Sequence, residues 1–112
     1  MNWIALENID QLQKIKQAAG YSILFKHSTR CSISLMAKKK FEFESESLPA
    51  EVPVYFLDLI KYRGISNAIA DDFQIHHESP QLLIIRDGEC VYETSHSEIS
   101  AEDAAEQISI NS

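Results

Sequence analysis

The hydrophobic pattern divides the chain into short apolar runs and longer stretches in which apolar residues recur at helical spacing. Residues 3–6 form the first strand candidate. Asn8 can cap a helix over residues 9–19, where Ile9, Leu12, Ile15 and Ala19 share a face and Gly20 ends the element. Residues 21–25 read as a buried strand, and residues 35–43 as a helix with Ile33, Met36, Ala37 and Phe41 on one side. A polar, proline-bounded loop follows over residues 44–53. Residues 54–59 are apolar except Asp58, as a strand covered on both faces requires. Residues 63–72 are helical, with Ile65, Ala68 and Ile69 as their apolar set.

The last third begins with a hairpin signal. Asp87-Gly88 separates strand-like residues 81–86 from 89–94, and Asp-Gly is a strong two-residue turn pair. That turn pairs Arg86 with Glu89, Ile85 with Cys90, Leu82 with Glu93 and Pro80 with Ser95. Cys90 then stays near the turn, about five strand residues of roughly 3.3 Å each from the level of Pro80. Ser100 caps a final helix, with Glu102 and Asp103 favourably placed in its first turn. The order βαβαβαββα predicts one α/β domain over residues 1–112, with a mixed sheet and helices on both faces.

Composition narrows the partners. A chain of 112 residues with 45% hydrophobic content can bury a core without disulfide staples. A net charge of −7 argues against nucleic acid as a partner. No apolar stretch approaches the length of a membrane span, and residues 1–7 lack the layout of a signal peptide. Two cysteines far apart in sequence fit a reducing cytoplasm.

The chemistry concentrates in Lys26-His27-Ser28-Thr29-Arg30-Cys31-Ser32-Ile33-Ser34. Ser28 or Thr29 can cap the following helix, which puts Cys31 in its first turn. There the helix dipole and unpaired N–H groups favour the thiolate, the nucleophilic form. Lys26, His27 and Arg30 add positive charge to an acidic chain. A lone cysteine is otherwise commonly buried and inert, but a strand, a polar turn and a helix-start cysteine point to redox chemistry. Lys38-Lys39-Lys40 reads as a solvated face, and Arg63 as a solvated helix-start residue or a secondary binding candidate. His27, His77 and His96 match no closed zinc spacing with Cys31, so no metal is assigned.

Ser79-Pro80 ahead of the hairpin, together with Cys31 at a helix start, resembles the thioredoxin fold, in which a cis-proline faces the nucleophile. Two departures stand out: the motif is C-x-x-S, with Ser34 able only to hydrogen-bond the thiolate, and Phe25 stands where many thioredoxins keep a carboxylate. More specifically, the chain resembles the monothiol bacilliredoxins. The resemblance rests on residues 25–34, on Arg63 with Ser66-Asn67, on His77-Glu78-Ser79-Pro80-Gln81 and on Ser95-His96. Ser32 stands where that family usually has proline.

The resemblance implies that Cys31 attacks protein mixed disulfides with bacillithiol, a cysteine–glucosamine–malate conjugate that serves as co-substrate with no bound cofactor. Bacillithiolated proteins would be the partners. Thiolate stabilisation would fall to Ser34, Thr29 and His27, and Pro80 with Ser79 would form the cis-proline site. Lys26, Arg30, His77, Ser95 and His96 would bind substrate, the charged ones meeting malate carboxylates. Two alternatives are a glutaredoxin-like monothiol protein that binds glutathione or an iron–sulfur cluster, and a non-catalytic binding module on the same scaffold.

Overall fold

The computed structural model describes residues 1–111. Its elements are β1 (Trp3–Ala5), α1 (Ile9–Gln17), β2 (Tyr21–His27), α2 (Ser32–Phe43), β3 (Val54–Asp58), α3 (Arg63–Phe73), β4 (Gln81–Arg86), β5 (Glu89–Ser95) and α4 (Ala101–Ile110), with 3-10 turns at Ser45–Ser47 and His96–Glu98. The five strands form one sheet in the order β1-β3-β2-β4-β5. β1 and β2 run parallel to β3, while β4 is antiparallel to both β2 and β5.

Alternation along the central strands supplies both cores. Leu24, Leu57, Leu83 and Ile85 pack with Leu12 and Ile15 of α1 and with Ile65, Ile69 and Phe73 of α3. Ile23, Phe25, Leu82 and Ile84 pack on the other face with Ala37 and Phe41 of α2 and with Ala101 and Ala104 of α4. Helices therefore cover both faces, as the sequence predicts.

Several boundaries differ from the sequence reading. α1 ends at Gln17, because Ala18 is extended and Gly20, at φ +84°, already turns into β2. Ile9 and Ala19 are exposed, so the buried face of α1 rests on Leu12 and Ile15 alone. β1 stops at Ala5, yet Leu6 is buried and its N–H bonds the Phe56 carbonyl at 2.8 Å. β2 continues past Phe25 to His27, since β3 and β4 flank it as far as Lys26.

The hairpin turn has positive φ at both Asp87 and Gly88, the geometry Asp-Gly favours. It is clamped to the start of β2: the Gly20 N–H donates to Asp87 Oδ1 at 2.7 Å, and the Asp87 N–H donates to the Gly20 carbonyl at 3.0 Å. Arg86 pairs with Glu89 and Ile85 with Cys90, as the turn predicts. Beyond them Ile84 faces Tyr92, so Val91 is an extra residue in a β-bulge. Every later pair shifts by one. Leu82 faces Thr94 and Gln81 faces Ser95, correcting the expected Leu82–Glu93 and Pro80–Ser95 pairs.

At the start of α4, Ser100 Oγ accepts the Asp103 N–H at 3.2 Å. Glu44 Oε1 accepts both the Ser100 hydroxyl and the Ala101 N–H at 3.0 Å. Among the described residues, no helix is long and apolar enough to cross a membrane.

Candidate active site

The candidate residues gather where β2 ends. Its last two residues, Lys26 and His27, alternate onto opposite faces of the sheet, and both are buried. Lys26 Nζ donates to the Ser66 carbonyl of α3 at 3.2 Å and to Nδ1 of His77 at 3.2 Å. Burial pushes its ammonium down to about 8. Lys26 is thus no cation displayed around a thiol: it is wholly enclosed, and the expectation that it touches substrate is corrected. His27 sits among Phe25 and Phe56 on the face toward α2. Burial, then the Lys38 charge, lowers its pKa below the usual histidine range.

The turn after β2 also differs from the expected cap. Cys31 is itself the N-cap of α2, with extended backbone, and its carbonyl accepts the Leu35 N–H at 3.1 Å. Ser28 and Thr29 do not cap this helix, and Cys31 precedes its first turn. The cause is Ser34, whose fully buried Oγ accepts the Ser28 N–H at 3.0 Å and lies 2.7 Å from His27 Nδ1. That pair of bonds draws the turn beneath the helix. The Ser28 carbonyl in turn accepts the Cys31 N–H at 3.2 Å. Ser34 and His27 therefore engage one another, which corrects their expected bonding to the thiolate. Thr29 and Arg30 are exposed on the turn, while Cys31 is half-buried and free. The N–H groups at the start of α2 have no helical partners by geometry.

Across β4 the Ser79–Pro80 bond is cis. Lys26 pairs with Gln81, so the register carried one residue further sets Pro80 level with His27. The Pro80 carbonyl accepts the His96 N–H at 3.1 Å. The bulge makes this possible, by bringing His96 rather than Ser95 to that level. His96 is exposed with φ 57°, Ser95 is half-buried, and His77 is exposed apart from its bond to Lys26.

Sequence reasoning named Gln81 within the resemblance but gave it no role. It is completely buried, its amide N–H groups donating to the His76 carbonyl and Glu93 Oε2, both at 3.0 Å, and its carbonyl accepting the Glu78 N–H at 3.3 Å. These bonds tie down the loop that carries Pro80. A polar residue opening an otherwise apolar strand, directly after that proline, was the available signal.

On α2, Ser34, Ala37 and Phe41 face the core, whereas Ile33 is 52% and Met36 71% exposed. This corrects the expected apolar side, because Ile33 and Met36 belong to the outer face. They line a groove of about 340 Å³ with Ala37, Lys40, His96 and Ile99. A larger cavity of about 910 Å³, lined by Lys14, Tyr21, Val52 and Ala105 among others, lies by the start of β2, away from the Cys31 turn.

Cys90 faces Ile85, one pair in from the hairpin turn, while the Cys31 turn adjoins the opposite end of β4. Its Sγ donates to the Tyr92 carbonyl at 3.4 Å, and burial pushes its thiol up. Among the described residues, no group of three or more His, Cys, Asp or Glu is arranged to hold a metal ion.

Comparison with known proteins places this geometry. Residues 4–104 match the family model of the monothiol bacilliredoxin BrxC. A solved candidate oxidoreductase with a thioredoxin fold is 30% identical, with 94% of this chain and 92% of that one covered at a TM-score of 0.82. A mutant thioredoxin from Halobacterium salinarum is 17% identical, covering 96% and 88% at a TM-score of 0.71. Thioredoxin from Trypanosoma brucei brucei is 11% identical, covering 98% and 90% at 0.74. The chain has the thioredoxin fold.

Proposed function

The chain belongs to the monothiol bacilliredoxin family, and on that footing we propose that it is a thiol oxidoreductase whose Cys31 removes bacillithiol from protein mixed disulfides. One observation carries the reading. Cys31 is a half-buried free thiol heading α2, and the fourth position of its motif holds a serine already bonded to His27 and Ser28. The other cysteine lies by the hairpin turn, so no second thiol is at hand to resolve an intermediate within the chain.

The exchange runs in two displacements. The Cys31 thiolate attacks the bacillithiol sulfur of a protein–bacillithiol disulfide. A Cys31–bacillithiol disulfide forms, the original S–S bond breaks, and the target leaves as a thiolate that takes a proton from solvent. A second low-molecular-weight thiol then attacks as thiolate. It regenerates the Cys31 thiolate and departs with bacillithiol as a small disulfide, the oxidised product.

Arg30 and His96 are exposed donors for the malate carboxylates, and Ser95 is a neutral donor beside His96. Thr29, exposed on the same turn, offers a hydroxyl to the incoming disulfide.

Intact mass after exposure to bacillithiol disulfide and, separately, glutathione disulfide tests the reading. One bacillithiol adduct on Cys31, released by added bacillithiol, is the expected result. Equal modification by both disulfides would reduce the protein to a general monothiol exchanger.

A further inference from the structure

Among the described residues, Lys26 is the one lysine buried completely, and no carboxylate there is bonded to it. An ammonium only donates, having no lone pair, so Nδ1 of His77 at 3.2 Å must act as acceptor. In a neutral imidazole with an accepting Nδ1, the proton sits on Nε2. His77 itself is exposed, three residues before Pro80, on the loop that enters β4 at the end of the sheet where β2 runs into the Cys31 turn. Ser66 helps hold this arrangement from α3: its carbonyl takes one Lys26 proton and its Oγ lies 3.5 Å from the same imidazole nitrogen. Charge around the ring acts in the same sense. Burial and the neighbouring Lys26, Arg63 and His76 all disfavour a second proton on His77, and only Glu78 opposes them.

We propose that Lys26 is a positioning residue that locks His77 as the neutral Nε2–H tautomer, presenting that N–H to an acceptor oxygen of the incoming mixed disulfide. The acceptor is a carboxylate of the small-thiol moiety or a peptide carbonyl of the target, both of which offer an oxygen to one N–H. The inference rests on the reading of the site as one for mixed disulfides, but its first consequence does not. Lys26 sets a proton location in the free protein, whether or not any disulfide binds.

The decisive measurement is a long-range ¹⁵N–¹H spectrum of the histidine side chains of the unliganded full chain at neutral pH. The expected result is a neutral His77 with its proton on Nε2 and an accepting Nδ1. In Lys26→Met, which keeps the length and apolar stem of the side chain, the ring should become a mixture of tautomers. A proton on Nδ1 in the unaltered protein would overturn the proposal without any variant. So would an unchanged His77 signature in folded Lys26→Met.

Kinetics supply the second arm. His77→Ala should raise KM for a bacillithiolated peptide about tenfold, the effect of losing one hydrogen bond, with kcat much less affected. Lys26→Met should reproduce part of that rise and add little in the double variant. A full effect on a bacillithiolated peptide, absent on the same peptide carrying a neutral alkyl disulfide, assigns the acceptor to the small thiol; an equal effect on both assigns it to the peptide. No effect of His77→Ala on either substrate would overturn the role of the N–H. Failure of the unaltered protein to turn over mixed disulfides would remove the functional reading instead, while the spectrum still decides the tautomer.

Discussion

Ser34 Oγ lies 2.7 Å from His27 Nδ1 while accepting the Ser28 N–H at 3.0 Å, so one buried hydroxyl joins the end of β2 to the first turn of α2. Ser34→Ala leaves a buried N–H without its acceptor and an imidazole nitrogen without its partner. Such a loss costs about 1–3 kcal/mol. Urea unfolding followed by the fluorescence of Trp3, the only tryptophan, should show a lowered midpoint with an unchanged slope. A midpoint equal to that of the unaltered chain would mean the hydroxyl does not organise the turn.

The two cysteines should separate by reactivity. Burial, with the Glu93 charge adding to it, raises the Cys90 thiol, whereas Cys31 heads a helix. Peptide mapping after brief iodoacetamide treatment should find Cys31 alkylated well before Cys90. Cys31→Ser should abolish exchange and Cys90→Ser should leave it nearly unchanged. An intramolecular Cys31–Cys90 disulfide in oxidised, folded monomer would contradict both the hairpin register and the single-thiol mechanism.

Choice of thiol should depend on exposed donors. A charge-assisted hydrogen bond contributes about 1.5–3 kcal/mol, and about 1.4 kcal/mol is a factor of ten. One or two contacts to malate therefore give at least tenfold preference for bacillithiol over glutathione on one substrate protein. Arg30→Ala and His96→Ala should erode that ratio more than they slow attack on a small neutral disulfide. Competition between bacillithiolated and glutathionylated versions of one target measures it directly, and equal rates would remove these residues from the selectivity.

Lys26 should leave a mark on the pH dependence of stability. Its folded value of about 8 lies below the ordinary 10.5, so between those values the unfolded chain holds a proton that the folded chain has released. Stability at this site is lowest below about pH 8 and recovers as pH rises through the window. The difference in unfolding free energy between the unaltered chain and Lys26→Met should move in favour of the unaltered chain, by on the order of 3 kcal/mol. Denaturant titrations at pH 7.5 and 10.5 test it. A flat difference would mean the ammonium is not penalised by burial.

Much of the fold was legible because its signals are local. Asn8 with Gln11 forms a capping box, Asp87-Gly88 makes the hairpin turn, and Ser100 caps α4. The site was less legible because its determinants are tertiary. Lys26 reads as a surface cation until β3 and β4 flank the strand that bears it and α3 supplies a carbonyl to its ammonium. Ser28 reads as a cap on residue preference alone, yet its own N–H is claimed by a serine six positions on. No residue type announces the bulge at Val91, which satisfies both the turn and the register of β4 with β5 only when the whole hairpin is in place.

That bulge constrains how the chain can change its length. Because Val91 is the surplus residue, deleting it would straighten β5 yet leave Tyr92 opposite Ile84 and His96 at the Pro80 carbonyl. An insertion of one residue between Val91 and Ser95 would instead send Ser95 to the Pro80 carbonyl. Relatives that share this site can therefore lose one residue between the Asp-Gly turn and the histidine by losing the bulge, but should not gain one, while loops elsewhere lengthen freely. The bulge acts as one residue of slack held near the hairpin tip, and single-residue insertions along the strand should be absent from any lineage that keeps the chemistry.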